Sequence, residues 1–337
     1  MRHVNIPIFI PHLGCPNQCV FCNQRAISGV REFKAEEVIP TIEEALLTVC
    51  PEDECEIAFF GGSFTGIDRA LMTELLEISY SYLKRGFISS VRCSTRPDYI
   101  DTEILDILEQ YGVRTVELGL QSSSDSVLAL TKRGHTGEDE LRACKLITDR
   151  GFELVGQMMI GLPGSTPESE LETAELIIKA GARAARIYPT VVFRETELCA
   201  MTEAGIYNPL SLEEAVERSA AVYERFHAAG TEVIRIGLHS SENLSSRESY
   251  YAGPNHPAIG ELVLGEVYYK KIIEKAKALA LSPESILSVY VPKGELSKAI
   301  GQRKRNKLRL AAALGIKSVK FTECAELSLT EISLGIE

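Results

Sequence analysis

The chain has 337 residues, 45% hydrophobic and 25% charged, with a mean hydropathy of +0.01. That composition excludes wholesale disorder and fibrous repeats and suits about two globular domains. The net charge of −11 is unevenly spread, residues 290–337 carrying +4 and residues 1–289 carrying −15, which sets a basic tail on an acidic body.

Along the first 236 residues, strand-length apolar runs alternate with helical patterns. Strands are predicted over Val4–Ile10, Glu56–Phe60, Ser89–Cys93, Thr115–Gly119, Leu154–Ile160, Ala184–Val191 and Glu232–Ile236, and helices over 35–49, 69–84, 101–111, 138–150, 168–180 and 211–229. Asp68, Asp101 and Ser211 stand as N-caps, the last with Glu214 three residues on. Gly86, Gly112, Gly151, Gly181 and Gly230 follow helix ends. The repeated strand–helix alternation predicts an α/β fold on a parallel sheet. A barrel and a doubly wound open sheet fit the periodicity alike, but distinctive residues that follow strands suit a barrel with its chemistry at the C-terminal face. Residues 237–255 then read as loop and Pro257–Leu281 as one long or kinked helix. A strand (Ile286–Val291), a helix (Glu295–Ile300), a loop (Gly301–Arg305), a helix (Asn306–Leu314) and a strand (Lys317–Phe321) follow. The expected domains are therefore 1–236, an extension over 237–283, and a small basic module over 284–337. No apolar run reaches the ~18–20 residues of a membrane helix. Residues 1–10 lack the pattern of a secretion signal, so no membrane association and a cytoplasmic location are expected.

The nine cysteines are odd in number and widely scattered, which argues against a disulfide framework. Cys50, Cys55, Cys93, Cys144, Cys199 and Cys324 read as packing thiols. Cys15, Cys19 and Cys22 instead crowd one loop directly after the first strand, as Cys-x3-Cys-x2-Cys. Three such thiolates can wrap one soft-metal centre. With no fourth cysteine or suitable histidine close downstream, a 4Fe–4S cube would keep one iron open, as catalytic zinc sites keep an open position. A structural zinc site completed by a distant cysteine, or three free thiols, also fits the spacing. His12 precedes the loop, and His239 and His256 fall in the irregular segment after the last strand.

The motif Cys15-x3-Cys19-x-Phe21-Cys22 resembles the signature of the radical S-adenosylmethionine (SAM) superfamily, and further motifs follow in the family's order. They are Gly61-Gly62-Ser63, Ser94-Thr95-Arg96-Pro97-Asp98, Glu117-Leu118-Gly119-Leu120-Gln121, Lys132-Arg133-Gly134-His135, Gly161-Leu162-Pro163-Gly164 and Arg186-Ile187-Tyr188-Pro189. Together with Ala252–Ala258 they resemble the radical SAM region of the elongator catalytic subunit and its short bacterial relatives, over about residues 4–270. The resemblance implies a partial (βα)6 TIM-like barrel, with Cys15, Cys19 and Cys22 holding a 4Fe–4S cluster. It implies SAM contacts from Phe21, Gly61, Gly62, Ser63, Ser94, Glu117, Gln121, Arg133, Gly161, Gly164 and Tyr188. Ser63 stands where the family usually has Glu. Arg133 would hold the SAM carboxylate by a bidentate pair, and an Arg on an exposed helix face is the plainer reading. Reductive cleavage of SAM to a 5′-deoxyadenosyl radical is implied, with reduced flavodoxin or ferredoxin as electron donor. No acetyltransferase-like segment follows the barrel motifs, so acetyl transfer is not carried over.

In the tail, Ala299-Ile300-Gly301-Gln302-Arg303-Lys304-Arg305-Asn306 resembles a KH loop like those of transcription antitermination factors, with Lys304 in place of the second glycine. That resemblance implies RNA contacts from Gly301, Arg303, Lys304, Arg305, Lys307 and Arg309; a solvated basic face on a small α+β cap is the other reading. Three functions follow: a radical SAM enzyme acting on RNA, most naturally tRNA; one acting on a small molecule such as a porphyrinogen; or a non-catalytic RNA-binding iron–sulfur protein.

Overall fold

The structure, a computed structural model, describes residues 2–11, 13–15, 18–23, 33–50, 52–238 and 249–337; His12 and His239 lie outside them. The chain packs as two compact units, residues 1–211 with 225–255, and residues 212–224 with 256–337.

The first unit is built on β1 (His3–Ile10), β2 (Glu54–Gly61), β3 (Ser90–Thr95), β4 (Val113–Gln121), β5 (Glu153–Ile160), β6 (Ala184–Pro189) and β8 (Glu232–Ile236), with β7 (Val192–Phe193) set aside in a short ribbon with β9 (Tyr250–Ala252). The seven strands of the sheet are parallel and lie in the order β1-β2-β3-β4-β5-β6-β8. This order decides between the two topologies that periodicity left open. A doubly wound sheet reverses direction at a switch point, whereas here every crossover advances the sheet the same way. Right-handed crossovers then put the helices on one face, which makes the sheet a partial barrel. Ile6, Ile8 and Ile10 of β1 are buried, while Asn5 and Pro7, which alternate with them, are exposed on the other face.

Local chemistry starts the crossover helices where expected. The Asp68 carboxylate accepts from the N–H groups of Ala70 and Leu71 at the head of Arg69–Lys84, and Met72, Leu75, Leu76, Ser79 and Tyr82 form its buried stripe. Asp101 caps Thr102–Gln110 through the Ile104 N–H. Thr136 with Asp139, and Thr166 with Ser169, make reciprocal caps for Gly137–Asp149 and Pro167–Lys179. Two short helices, Asp125–Leu130 and Glu197–Glu203, go beyond the sequence reading. No helix among the described residues is long and apolar enough to cross a membrane.

The second unit pairs β10 (Ile286–Pro292) in parallel with β11 (Ser318–Cys324) and antiparallel with β12 (Ser333–Ile336). The helices Leu296–Ile300 and Arg305–Leu314 fall between β10 and β11. The helix Ile259–Ala276 adds Tyr268 and Ile272 to a core of Leu287, Val289, Val291, Leu310 and Val319, so the long helix and the basic module share one apolar interior.

The inner face of the large sheet carries charge in place of the apolar layers of a closed barrel. Glu117 on β4 is fully buried and accepts from Arg92 Nη1 at 2.9 Å, Arg186 Nε and Nη2 at 2.9 Å each, and Gln157 Nε2 at 2.8 Å. Arg92 also donates through Nε to Glu56 at 3.0 Å. Burial pushes the Glu117 carboxyl up, but the Arg186 and Arg92 guanidiniums outweigh it and hold the group below its usual range. Glu117→Gln takes the carboxylate charge from between two buried guanidiniums, of which Arg92 keeps Glu56, and breaking such an interior pair costs ~3–5 kcal/mol. Urea unfolding at neutral pH should show a loss of that order. Because the folded pKa is depressed, the difference from wild type should be full above the unfolded value of roughly 4.3 and close as pH falls below it. A variant as stable as wild type at pH 7 would refute this account of the sheet.

Candidate functional site

The cysteine loop leaves β1 and runs along the C-terminal rim of the sheet. Backbone bonds tie it to β2 on one side, Gly62 N–H to Ile10 O at 2.7 Å and Ser63 N–H to Leu13 O at 3.1 Å. A Cβ on Gly62 would stand 2.0 Å from Leu13 O, and one on Gly14 (φ +70°) 2.1 Å from Ser63 O. Both positions therefore require glycine for backbone to meet backbone. On the other side, Val20 N–H donates to Thr131 O at 3.2 Å, and Leu198 N–H donates to Val20 O at 2.8 Å. Val20 is buried with Val192, Leu198, Cys199 and Tyr207, and Phe21 packs half-buried against them.

Cys19 and Cys22 line a cavity of about 450 Å³, together with Gln18, Lys132, Thr196 and Glu197. Lys132 Nζ and Glu197 Oε2, 2.6 Å apart, span its rim. Burial pushes the Cys15 thiol up, and nearby Cys19 adds to this, against Arg96 and Arg133. Among the described residues, no three Cys, His, Asp or Glu side chains stand at metal-ligand spacing. The loop thus gathers its thiols at one rim without closing them into a cage.

Two guanidiniums reach the same sulfur. Arg133 Nη1 lies 3.3 Å and Arg96 Nη1 3.9 Å from Cys19 Sγ. Arg133 is buried in the turn after Asp125–Leu130, which removes the exposed-helix reading, and its Nη2 donates to Gly119 O. Arg96 is held by Asp98 through Nε and Nη2, at 2.9 and 3.0 Å. Behind them, His135 Nε2 lies 3.1 Å from Glu140 Oε1. Burial, with Arg133 and Arg96 close by, pushes His135 down to about 4, and burial pushes the Glu140 carboxyl well up. Burial thus disfavours the charged form of each partner. Sequence reading passed over Arg96, His135 and Glu140 as site residues; the Ser-Thr-Arg-Pro-Asp turn after β3 was the available signal for the first.

The other expected SAM contacts are distributed unevenly. Gln121 ends β4 with φ +73°, and its Oε1 is buried with no hydrogen-bond partner among the described residues. At Gly119 a Cβ would stand 3.0 Å from Gln121 Nε2 and 3.5 Å from Arg133 Nη2, so the glycine leaves a notch between these donors. Gly61 (φ +111°) lies against the backbone of Ile10. The Ser63 hydroxyl is committed to Thr95 Oγ1 at 2.8 Å and to the Arg96 N–H at 3.3 Å. Ser94 receives Gln157 Nε2 at 3.5 Å, and Glu117 is spent on the ionic core. Burial raises the Tyr188 hydroxyl against the pull of Arg186. In the turn after β5, Gly161 N–H donates to Glu170 Oε1 at 2.6 Å while its carbonyl accepts from Tyr207 at 2.6 Å. A Cβ on Gly164 would meet Leu130 at 2.6 Å.

In the second unit, Gly301 (φ +76°), Arg303 (φ +52°) and Lys304 (φ +62°) form a tight turn. The buried Asn306 anchors it, its Nδ2 donating to Gly265 O at 2.6 Å and Ala299 O at 3.1 Å. Lys304, at the second-glycine position, thus adopts the backbone that glycine favours. Arg303, Lys304 and Arg305 are exposed and Lys307 is half-buried. Arg305 approaches Glu213 at 3.8 Å. Arg309 is engaged within the unit, 2.6 Å from Glu266 and 3.8 Å over the Tyr269 ring.

Comparison with known proteins agrees with this architecture. The profile of the radical SAM superfamily matches residues 9–177, and that of a radical SAM C-terminal domain matches residues 182–269. An uncharacterised protein of Methanocaldococcus jannaschii is 31% identical over 220 residues, 61% of this chain and 66% of the relative. A tRNA uridine(34) acetyltransferase of Methanocaldococcus infernus is 36% identical over 187 residues, 50% of this chain and 35% of the relative. The chain therefore spans under two thirds of the first and only about a third of the second. A solved structure of the archaeal Elp3 of Methanocaldococcus infernus shares the fold, with a TM-score of 0.64 at 22% identity over 81% of this chain and 63% of that one.

The interlock of the two glycine turns yields a direct check. Gly62→Val should push the cysteine loop off the β2 turn and cut iron and sulfide incorporation several-fold, with far-UV circular dichroism kept. Full incorporation would show that the loop does not depend on that contact.

Proposed function

The chain belongs to the radical SAM superfamily and is an enzyme, and on that premise we propose that it cleaves SAM reductively and modifies RNA, tRNA first among candidates. When bound, a 4Fe–4S cluster and SAM supply reductive cleavage of SAM to a carbon radical that removes hydrogen from substrate. The residues present fit such a group. Cys15, Cys19 and Cys22 are the soft donors it needs, and Cys19 and Cys22 share a cavity large enough for a cofactor. That shared cavity, with two guanidiniums aimed at the Cys19 sulfur, carries the reading.

In this reading the three cysteines hold the cluster. The Gln121 Oε1, unpartnered among the described residues, the Gly119 notch and the Gly161–Gly164 turn receive SAM, with Phe21, Gly61, Gly62, Ser63, Ser94 and Tyr188 around it. The likeness to tRNA uridine(34) acetyltransferases over the barrel supports tRNA as substrate. So does the exposed turn of the second unit, where Gly301, Arg303, Lys304, Arg305 and Lys307 would grip phosphates. Reduced flavodoxin or ferredoxin would deliver the electron.

Anaerobic reconstitution, reduction with SAM and assay for 5′-deoxyadenosine test the chemistry. Wild type should form it, Cys19→Ala should not, and bulk tRNA should stimulate turnover. Turnover with no response to tRNA would direct the search to small molecules, and an intact cluster that never cleaves SAM would sink the enzymatic reading. Arg303→Glu with Lys304→Glu should weaken tRNA binding and flatten its logarithmic salt dependence by about one unit for each phosphate no longer neutralised; unchanged affinity and slope would remove the turn from the RNA site.

A further inference from the structure

We propose that Arg96 and Arg133 form a two-guanidinium clamp on the Cys19 sulfur that raises the reduction potential of a cluster bound through it. The inference rests on the cluster reading above. Each guanidinium is anchored at one edge and offers the other to the same atom. Asp98 takes Nε and Nη2 of Arg96, leaving Nη1 for Cys19 Sγ at 3.9 Å. Gly119 O takes Nη2 of Arg133, leaving Nη1 for Cys19 Sγ at 3.3 Å. Arg96 Nη2 also donates to the Arg133 carbonyl, so the two arms are tied together. Arg96, Arg133 and Cys19 are 4%, 6% and 7% exposed, which shields the arrangement from water.

The charges around the sulfur are unequal. Among the described residues, two guanidiniums reach the sulfur and one carboxylate, Asp98, is bound to Arg96 and lies 3.7 Å from His135 Nδ1. A net positive charge and N–H donors at a ligand sulfur stabilise the more negative, reduced state of an iron–sulfur cluster. Burial strengthens the effect, because the local dielectric is low. Asp98 and the Gly119 carbonyl then act as positioning groups that aim the two arms. A grip by Arg133 on the SAM carboxylate is a different role, and it would act only once SAM is present.

The test is a SAM-free redox titration of the reconstituted full chain, followed by electron paramagnetic resonance. It compares wild type with Arg96→Gln and Arg133→Gln, each checked for iron, sulfide and far-UV circular dichroism. Both variants should load the cluster yet bind the electron about tenfold more weakly, a midpoint more negative by ~59 mV for one electron. Where a Gln variant does not load, Arg96→Lys or Arg133→Lys gives the measurement. These keep the charge but lose the two-edged anchor, so a smaller shift in the same direction is expected. Midpoints equal to wild type in the loaded variants overturn the clamp and leave the cluster reading standing. A wild-type chain that takes up no cluster overturns both.

Discussion

The first unit depends on one constraint: a partial barrel has an inner face with no helix to cover it, and Glu117 lies in the middle of that face. A closed barrel fills its lumen with branched aliphatic layers. Here the same positions carry Glu56, Arg92, Glu117, Gln157 and Arg186, each answering another one or two strands away. Removing a charge from water is expensive, and only near-complete hydrogen bonding offsets it. The bonds to Glu117 meet that condition. They also align β3 through β6, since Arg92, Glu117, Gln157 and Arg186 sit on four successive strands.

From that alignment the rim inherits its geometry. Thr95 and Arg96 leave β3 where Ser63 can bond both. Gly119 stands near the end of β4, where its carbonyl meets Arg133, and the β2 turn holds the cysteine loop backbone to backbone. The chain's most reactive side chains are therefore placed by carbonyls, hydroxyls and glycines of adjoining strands.

Much of this was legible in the sequence. The strands were, because buried parallel strands are short apolar runs that end in turn residues, as Leu154–Ile160 does at Gly161. The helices Arg69–Lys84 and Thr102–Gln110 were, because Asp68 and Asp101 announce them. The Cys-x3-Cys-x2-Cys spacing was legible because metal-ligand chemistry is local in sequence. The ribbon of β7 with β9 was not, since two residues carry no period, and Asp125–Leu130 is too short to show one. Arg96 was missed because its meaning depends on Cys19, 77 residues away. Glu140 was missed because a carboxylate in a helix reads as solvated until its neighbours are known. The second-glycine position shows the opposite case: Lys304 departs from the motif in side chain but keeps the left-handed backbone the motif requires.

The strand order has one more consequence. Among the described residues, β1 and β8 each pair on one side only, so the sheet is a trough with two lips. A sealed lumen sets an upper size on what it admits, and everything entering must pass its mouth. A trough sets no such ceiling: a long polymer can lie along it and present one unit to the floor while the rest stays in solvent.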